Sequence, residues 1–406
     1  MRISLLLERE PFGEIVEQTL PDLLLAVAGK AHVVHWYPSA TASRRRTRDE
    51  QLWLCNVYLN AIFRPTVGRA ALEPVRREYA RSTVWWRRPL QRAYVAAATR
   101  GPSAAWLAGP RVGITPPLAH ADDVVILGGN HRLRVLDRHL GVSHVIVKAG
   151  RDPSFMRAEL ELRRRTNDLP VPRVVRAGAG ERWFTEELVV GTPLNRLPLR
   201  SRHWPFEVAR AALECLVRRT LQDVVAHEYA KARLSAVEQV LLNPRLHDVE
   251  SCAIREVARE LASVVRHSPP DTRVATAQTH GDFQPANILA GGDRVWLIDW
   301  EYTARRQAGF DALTYVLGSR LGDGFAARVG LALGDRLGVD VLQRWPGLCW
   351  DTPAGRRRTL ALFLLEELEL RARENTSALF RRPTPGTATF LRNVEAATRD
   401  LCAAAA

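Results

Sequence analysis

His280-Gly281-Asp282-Phe283-Gln284-Pro285-Ala286-Asn287-Ile288-Leu289, followed by Val295-Trp296-Leu297-Ile298-Asp299-Trp300-Glu301, decides how this chain is read. Two short apolar runs flank a polar loop that presents a carboxylate, an amide and, after a hairpin-like return, a second carboxylate. Such a set suits the transfer of a phosphoryl group from a triphosphate, whose clustered negative charge calls for one or two Mg²⁺ ions held by hard oxygen ligands. Asn287 and Asp299 can supply those oxygens. Asp282 would face the acceptor hydroxyl, orient it and take its proton. A His-x-Asp pair also occurs in metallohydrolases, and a loop Asp is often a turn-former. The four-residue strand signal at Val295–Ile298 leading into Asp299 favours phosphoryl transfer.

An Asp followed five positions later by an Asn matches the base and metal-ligand spacing of the kinase catalytic loop. On these residues the chain resembles the aminoglycoside phosphotransferase and choline kinase superfamily, relatives of the protein kinases. In that family the loop reads His-Gly-Asp, four residues, then Asn-Ile-Leu, and the later metal-binding Asp is followed by Trp-Glu or a similar pair. Gly281 stands where eukaryotic protein kinases carry Arg, which favours a small-molecule acceptor. The resemblance implies an α+β, two-lobed protein-kinase-like fold with a small β-rich N-lobe and a large helical C-lobe. It implies ATP or GTP as co-substrate, Mg²⁺, and a hydroxyl-bearing acceptor such as an aminoglycoside, sugar, amino sugar or amino alcohol. By the same resemblance Asp311 is structural. His280 is expected to hold the loop.

The resemblance covers about residues 122 to 320, extends weakly to the C-terminus and does not reach the first 120 residues; its nucleotide half lies before the catalytic loop. Val124–Leu127 and Leu133–Leu136 read as strands joined by Gly128-Gly129-Asn130, a turn whose Gly128 and Gly129 would let backbone N–H groups approach phosphate. Lys148, ending the run His144-Val145-Ile146-Val147, resembles the lysine that contacts the α- and β-phosphates. Asp152-Pro153 starts a helix carrying Glu159 and Glu161. Glu159, on the helical face of Phe155 and Leu162, is the expected partner of Lys148. Trp183–Leu194 resembles the strand-to-hinge passage, so backbone groups of Glu187, Leu188 and Val189 would meet the adenine edge. Gly191 would permit the turn into the larger lobe.

The remaining organisation is coarser: residues 1–120 as an N-terminal α/β extension, 121–190 as the N-lobe and 191–406 as the C-lobe. In the extension, Arg2–Leu7 reads as a strand, Phe12–Ala28 as an amphipathic helix interrupted at Pro21, and Ala31–Tyr37 as a strand. Leu52–Phe63 and Ala70–Tyr79 read as helices and Pro110–Pro117 as a linker. Trp85 and Trp86, interleaved with Arg81, Arg87, Arg88 and Arg92, can stack on a sugar or base; the favoured expectation is that the tryptophans anchor the extension on the catalytic part. Helical spacing recurs at Phe206–Leu221, Leu234–Leu242, Val249–Val265, Ala312–Leu317, Gly324–Leu333 and Thr359–Arg373. Glu366, Glu367 and Glu369 are expected on a solvated helix face, or facing a cationic substrate.

The chain has 406 residues, 46% of them hydrophobic, and a formal charge of +14. That charge attracts anions, although an Arg-rich, Ala-rich composition accounts for most of it. Binding of nucleic acid lacks a module motif. The Ser4–Leu7 run is too short for a leader, and no apolar stretch is long enough to span a membrane. Cys55, Cys215, Cys252, Cys349 and Cys402 are scattered and odd in number, the pattern of reduced thiols in a cytoplasmic enzyme. A partner-docking, nucleotide-binding pseudokinase is the alternative; the presence of Lys148, Asp282, Asn287 and Asp299 together weighs against it.

Overall fold

The computed structural model describes residues 2–403 except 46, 80–84, 167, 243–247, 321–323, 339, 378 and 384–385. Arg81, expected among the arginines interleaved with Trp85 and Trp86, therefore lies outside the described residues. Two compact units emerge, one of residues 1–205 with 289–298, the other of 206–288 with 299–406. The first holds α1 (Ile3–Arg9), α2 (Phe12–Ala28), β1 (Val33–Tyr37), β2 (Gln51–Asn56), β3 (Ala61–Phe63), α3 (Glu73–Tyr79), α4 (Arg88–Ala98), α5 (Gly101–Leu107) and β4 (Arg111–Thr115). It continues with β5 (Val124–Gly128), β6 (Arg132–Asp137), β7 (Val142–Val147), α6 (Ser154–Arg165), β8 (Val174–Ala177), β9 (Trp183–Glu187) and β10 (Thr192–Pro193).

Nine of these strands form one sheet in the order β1-β4-β2-β3-β5-β6-β7-β9-β8. Strand β3 pairs directly with β5, Ile62 opposite Ile126. Position 120 thus marks no break: the expected extension supplies four strands of the same sheet as the expected N-lobe. Alternation along the strands sends successive side chains to opposite faces. Ile126, Leu133, Val135 and Ile146 pack on one face with Ile3, Leu6, Phe12, Val16 and Leu20 of α1 and α2. On the other face Val125 meets Phe63, Leu72, Val75 and Val95. Val145, Val147 and Phe184 meet Met156 and Leu160 of α6 on that side.

Four local expectations are corrected. Arg2–Leu7 is not a strand; Ile3, Leu6 and Arg9 recur at helical spacing and are buried in α1. Leu52–Phe63 is not a helix but the β2–β3 hairpin. Its turn is built by Asn56, whose Oδ1 accepts from the N–H groups of Tyr58 (3.2 Å) and Leu59 (3.0 Å), and by Asn60 at φ +54. The expected linker at 110–117 contains β4, which pairs on both edges with β1 and β2. Pro21 does not interrupt α2, which runs from Phe12 to a left-handed Gly29 cap.

The second unit is mainly helical: α7 (His203–Thr220, its first residues in the first unit), α8 (Ala226–Leu241), α9 (Asp248–Arg266), α10 (Phe310–Leu317), α11 (Phe325–Leu333), α12 (Asp340–Arg344), α13 (Pro353–Glu374) and α14 (Thr387–Ala403). Its sheet is β11 (Gln222–Val225), β12 (Arg273–Thr279) and β15 (Ala304–Gln307). The hairpin β13 (Ile288–Gly291) and β14 (Arg294–Leu297) pairs through β13 with β10. Helix α13 packs against α8, α9 and α14 and is buried around nearly its whole circumference, as the centre of a helical core must be. Glu366, Glu367 and Glu369 accordingly point inward rather than to solvent. No helix among the described residues is long and apolar enough to cross a membrane.

Candidate active site

The loop after β12 belongs wholly to the second unit. Its entry is fixed by Asp311, fully buried at the start of α10, which accepts from the N–H groups of His280 (2.7 Å) and Gly281 (2.9 Å). Burial raises the Asp311 pKa, opposed by those same bonds and by His280. Nδ1 of His280 meets the Asp282 N–H at 3.2 Å, so the imidazole braces the loop. Gly281 sits at φ +84, and a Cβ there would collide with the Tyr302 carbonyl. Only glycine fits.

This bracing brings Asp282 and Asn287 together. Asn287 Nδ2 donates to Asp282 Oδ2 (2.8 Å) and to the Asp282 carbonyl (2.9 Å). Gln284 Nε2 donates to the same Oδ2 at 2.8 Å. Arg320 Nε donates to Oδ1 at 2.8 Å, while its Nη1 pairs with the buried Glu367 at 2.6 Å and its Nη2 donates to the Gly281 carbonyl at 3.1 Å. Burial works against the Arg320 charge, but Glu367 and Asp282 raise its pKa above the usual guanidinium value. Sequence reasoning missed Arg320. It stands 38 positions from Asp282, with no spacing rule to connect them.

Asp299 follows β14 in the left-handed conformation, φ 69 and ψ 51, and opens the turn Trp300–Tyr302. The donor set suits Mg²⁺ by type: Asn287 spends its N–H₂ on Asp282 and keeps its carbonyl oxygen, and Asp299 offers a carboxylate. No cluster of three or more His, Cys, Asp or Glu able to hold a metal occurs among the described residues. Magnesium commonly relies on few protein ligands, with water and phosphate completing its shell.

In the first unit the expected Lys148–Glu159 pair does not form. Lys148 has no exposed surface, and its Nζ pairs with Glu10, the C-terminal cap of α1; Arg151 Nη2 reaches the same carboxylate at 3.0 Å. Phe12 lies 5.3 Å from the ammonium. Burial lowers the Lys148 pKa to about 8 in spite of Glu10. The cause of the correction is strand parity: Lys148 follows Ile146 onto the α1/α2 face, whereas Glu159 lies with Val145 and Val147 on the α6 face. Glu159 meets Arg132 (2.6 Å) and Arg163 (3.0 Å) instead. Arg163 continues to Glu186 (2.8 Å), which also pairs with Arg134. Glu161 pairs with Arg165 on the surface.

The turn at Gly128 and Gly129 is tied to the N-terminal helices, Arg9 bonding Asn130 and a Cβ on Gly128 crowding Ile3. At the expected hinge, the Glu187 N–H donates to the Arg173 carbonyl and the Leu188 N–H to Gly141 (both 2.9 Å). Those two donors are therefore already paired. Beside the hinge lies a cleft of about 410 Å³ with apolar walls from Leu136, Leu188 and Val190 and guanidinium groups from Arg69, Arg77 and Arg138.

No protein-family model and no curated protein matches this sequence. Among solved structures, the chain is similar to a choline/ethanolamine kinase family protein from Mesorhizobium loti, at 16% identity and TM-score 0.43 over 78% of this chain and 98% of that one. It is similar to choline kinase from Cryptosporidium parvum Iowa II, at 15% identity and TM-score 0.43 over 69% and 90%. A thermostable mutant of aminoglycoside phosphotransferase APH(4)-Ia, in ternary complex with ADP and hygromycin B, aligns at 14% identity and TM-score 0.45 over 68% and 94%.

Proposed function

We propose that the chain is a phosphotransferase that moves the γ-phosphoryl group of ATP, or of GTP, to a hydroxyl of a small polar molecule. The carrying observation is the joined Asp282–Asn287 pair on a loop fixed by Asp311. A carboxylate offers about four acceptor positions. Arg320, Gln284 and Asn287 use three, which leaves one for the acceptor hydroxyl. As the acceptor oxygen bonds to phosphorus and the bond to the leaving diphosphate breaks, the hydroxyl proton passes to Asp282. Asn287 and Asp299 would hold Mg²⁺, which supplies charge neutralisation on the phosphates. The cleft at Leu136, Leu188 and Val190 offers apolar walls for a base and arginines for phosphate.

A second reading, a nucleotide-binding pseudokinase, is favoured by one observation: Lys148 is sealed against Glu10 and cannot meet phosphate in this arrangement. One assay separates the two. Label transfer from γ-labelled ATP with Mg²⁺ is measured against pooled sugars, amino sugars and amino alcohols, for the wild type and Asp282→Ala. The enzyme reading expects wild-type transfer that falls at least ~10²-fold in the variant, with nucleotide affinity by calorimetry retained. Equal transfer by both proteins removes the assigned role of Asp282, and no transfer to any pool favours the pseudokinase.

A further inference from the structure

From Tyr79 to Ala121 the chain carries no Asp or Glu, yet it carries Arg81, Arg87, Arg88, Arg92, Arg100 and Arg111. The same stretch holds Trp85, Trp86 and Trp106. These tryptophans do not anchor the extension: Trp85 is 76% exposed, Trp86 51% and Trp106 84%, with Leu90 at 66%. Trp36 and Trp53, by contrast, pack into the core beside α2.

The local structure explains the exposure. Helix α4 is held to the core by Val95 and Ala98, near its C-terminal end, and α5, which packs against α4, by Ala104. All residues from 85 to 93, Trp-Trp-Arg-Arg-Pro-Leu-Gln-Arg-Ala, are exposed. The start of α4 and the turn before it therefore stand clear of the body, presenting indoles, an isobutyl group and guanidinium groups together. Arg87 lies over the Trp86 ring, 4.7 Å from its centroid.

We propose that this projection is a docking surface for an anionic lipid bilayer, on which the protein sits peripherally. Tryptophan favours the headgroup level, where its ring is half in hydrocarbon and its N–H is wet; arginine adds attraction to anionic headgroups. A stretch of 43 residues without a carboxylate puts no opposing charge of its own beside such a surface. Single-stranded nucleic acid is bound in grooves that track the backbone, with bases stacked on aromatic rings. This element is a projection, and the exposed Leu90 gains nothing from stacking but does gain from burial among acyl chains. The inference is independent of the phosphoryl-transfer reading.

The test is co-sedimentation of the full chain with vesicles of phosphatidylcholine and of phosphatidylcholine mixed with phosphatidylglycerol, with tryptophan emission as a second readout. The expected result is binding to the anionic vesicles with a blue shift, and little binding to the neutral ones. Replacing Arg87, Arg92 and Arg100 by Gln should weaken partitioning about 100-fold. Trp85→Ser/Trp86→Ser/Trp106→Ser should abolish the blue shift, and since all three indoles are exposed the variant should fold, as circular dichroism will check. The proposal is overturned by failure to sediment with anionic vesicles, or by sedimentation that both variants leave unchanged. It is equally overturned if the patch instead binds single-stranded DNA, or mediates a dimer that the Trp variant dissociates.

Discussion

Arg320 joins the two carboxylates that matter most in the second unit, Asp282 and Glu367. Replacing it by Met leaves Glu367 buried without its cation, which costs about 3–5 kcal/mol. Urea unfolding of Arg320→Met should show that loss, and the double variant with Glu367→Gln should recover much of it without recovering the proposed phosphoryl transfer, because Asp282 still lacks its Arg320 hydrogen bond. An unchanged urea midpoint in the single variant would show that the pair contributes nothing. A second residue-scale prediction concerns Glu366, which accepts from Tyr229 and from the Gln307 N–H. Burial raises its pKa from 4.5 to about 7. Between those values the folded chain holds a proton that the unfolded chain releases, so this contribution is full below about 4.5 and lost as pH rises through about 7. Wild-type stability should therefore decline across that window by an amount on the order of 3 kcal/mol. Glu366→Gln should flatten the decline; an identical pH profile would refute the assignment.

At the scale of elements, the N-terminal helices and the sheet are locked by charge as well as by apolar packing. Glu10 faces two cations, Lys148 and Arg151, the first of them fully buried. Glu10→Gln should destabilise the protein by about 3–5 kcal/mol, since it strands buried positive charge. Glu10→Leu/Lys148→Met, which removes both members, should be far milder, and comparing thermal midpoints of the two proteins tests the point. A double variant as unstable as the single would mean that the pair is not the coupling. The expected Lys148–Glu159 pairing shows where sequence reasoning stops at this scale. Both residues were recognisable, but which helices cover the face that Lys148 shares with Ile146 is a tertiary matter, and Glu10 lies 138 positions away. The hairpin at 51–63 failed differently: a compact apolar run fits strand and helix alike until the Asn56 turn is seen.

For the whole molecule, the sheet decides what can be removed. A chain beginning at residue 121 would lose α1, α2 and four strands, uncovering the edge of β5 and the apolar face formed by Ile126, Leu133 and Ile146. Exposed edges and apolar faces drive aggregation. That shortened chain should be insoluble or unfold without cooperativity; a soluble product with a wild-type thermal midpoint would show residues 1–120 to be an independent appendage. The catalytic-type loop, its structural Asp311 and most helices of the second unit were legible in the amino-acid order, because loop chemistry and helical periodicity are written within a few residues of one another. Tertiary structure alone decided that the first 120 residues share the sheet, that Lys148 answers to Glu10, that Arg320 holds Asp282, and that Trp85, Trp86 and Trp106 face solvent. Each depends on groups far apart in the chain and on which face of an element becomes buried, and no local pattern of residue types carries that information.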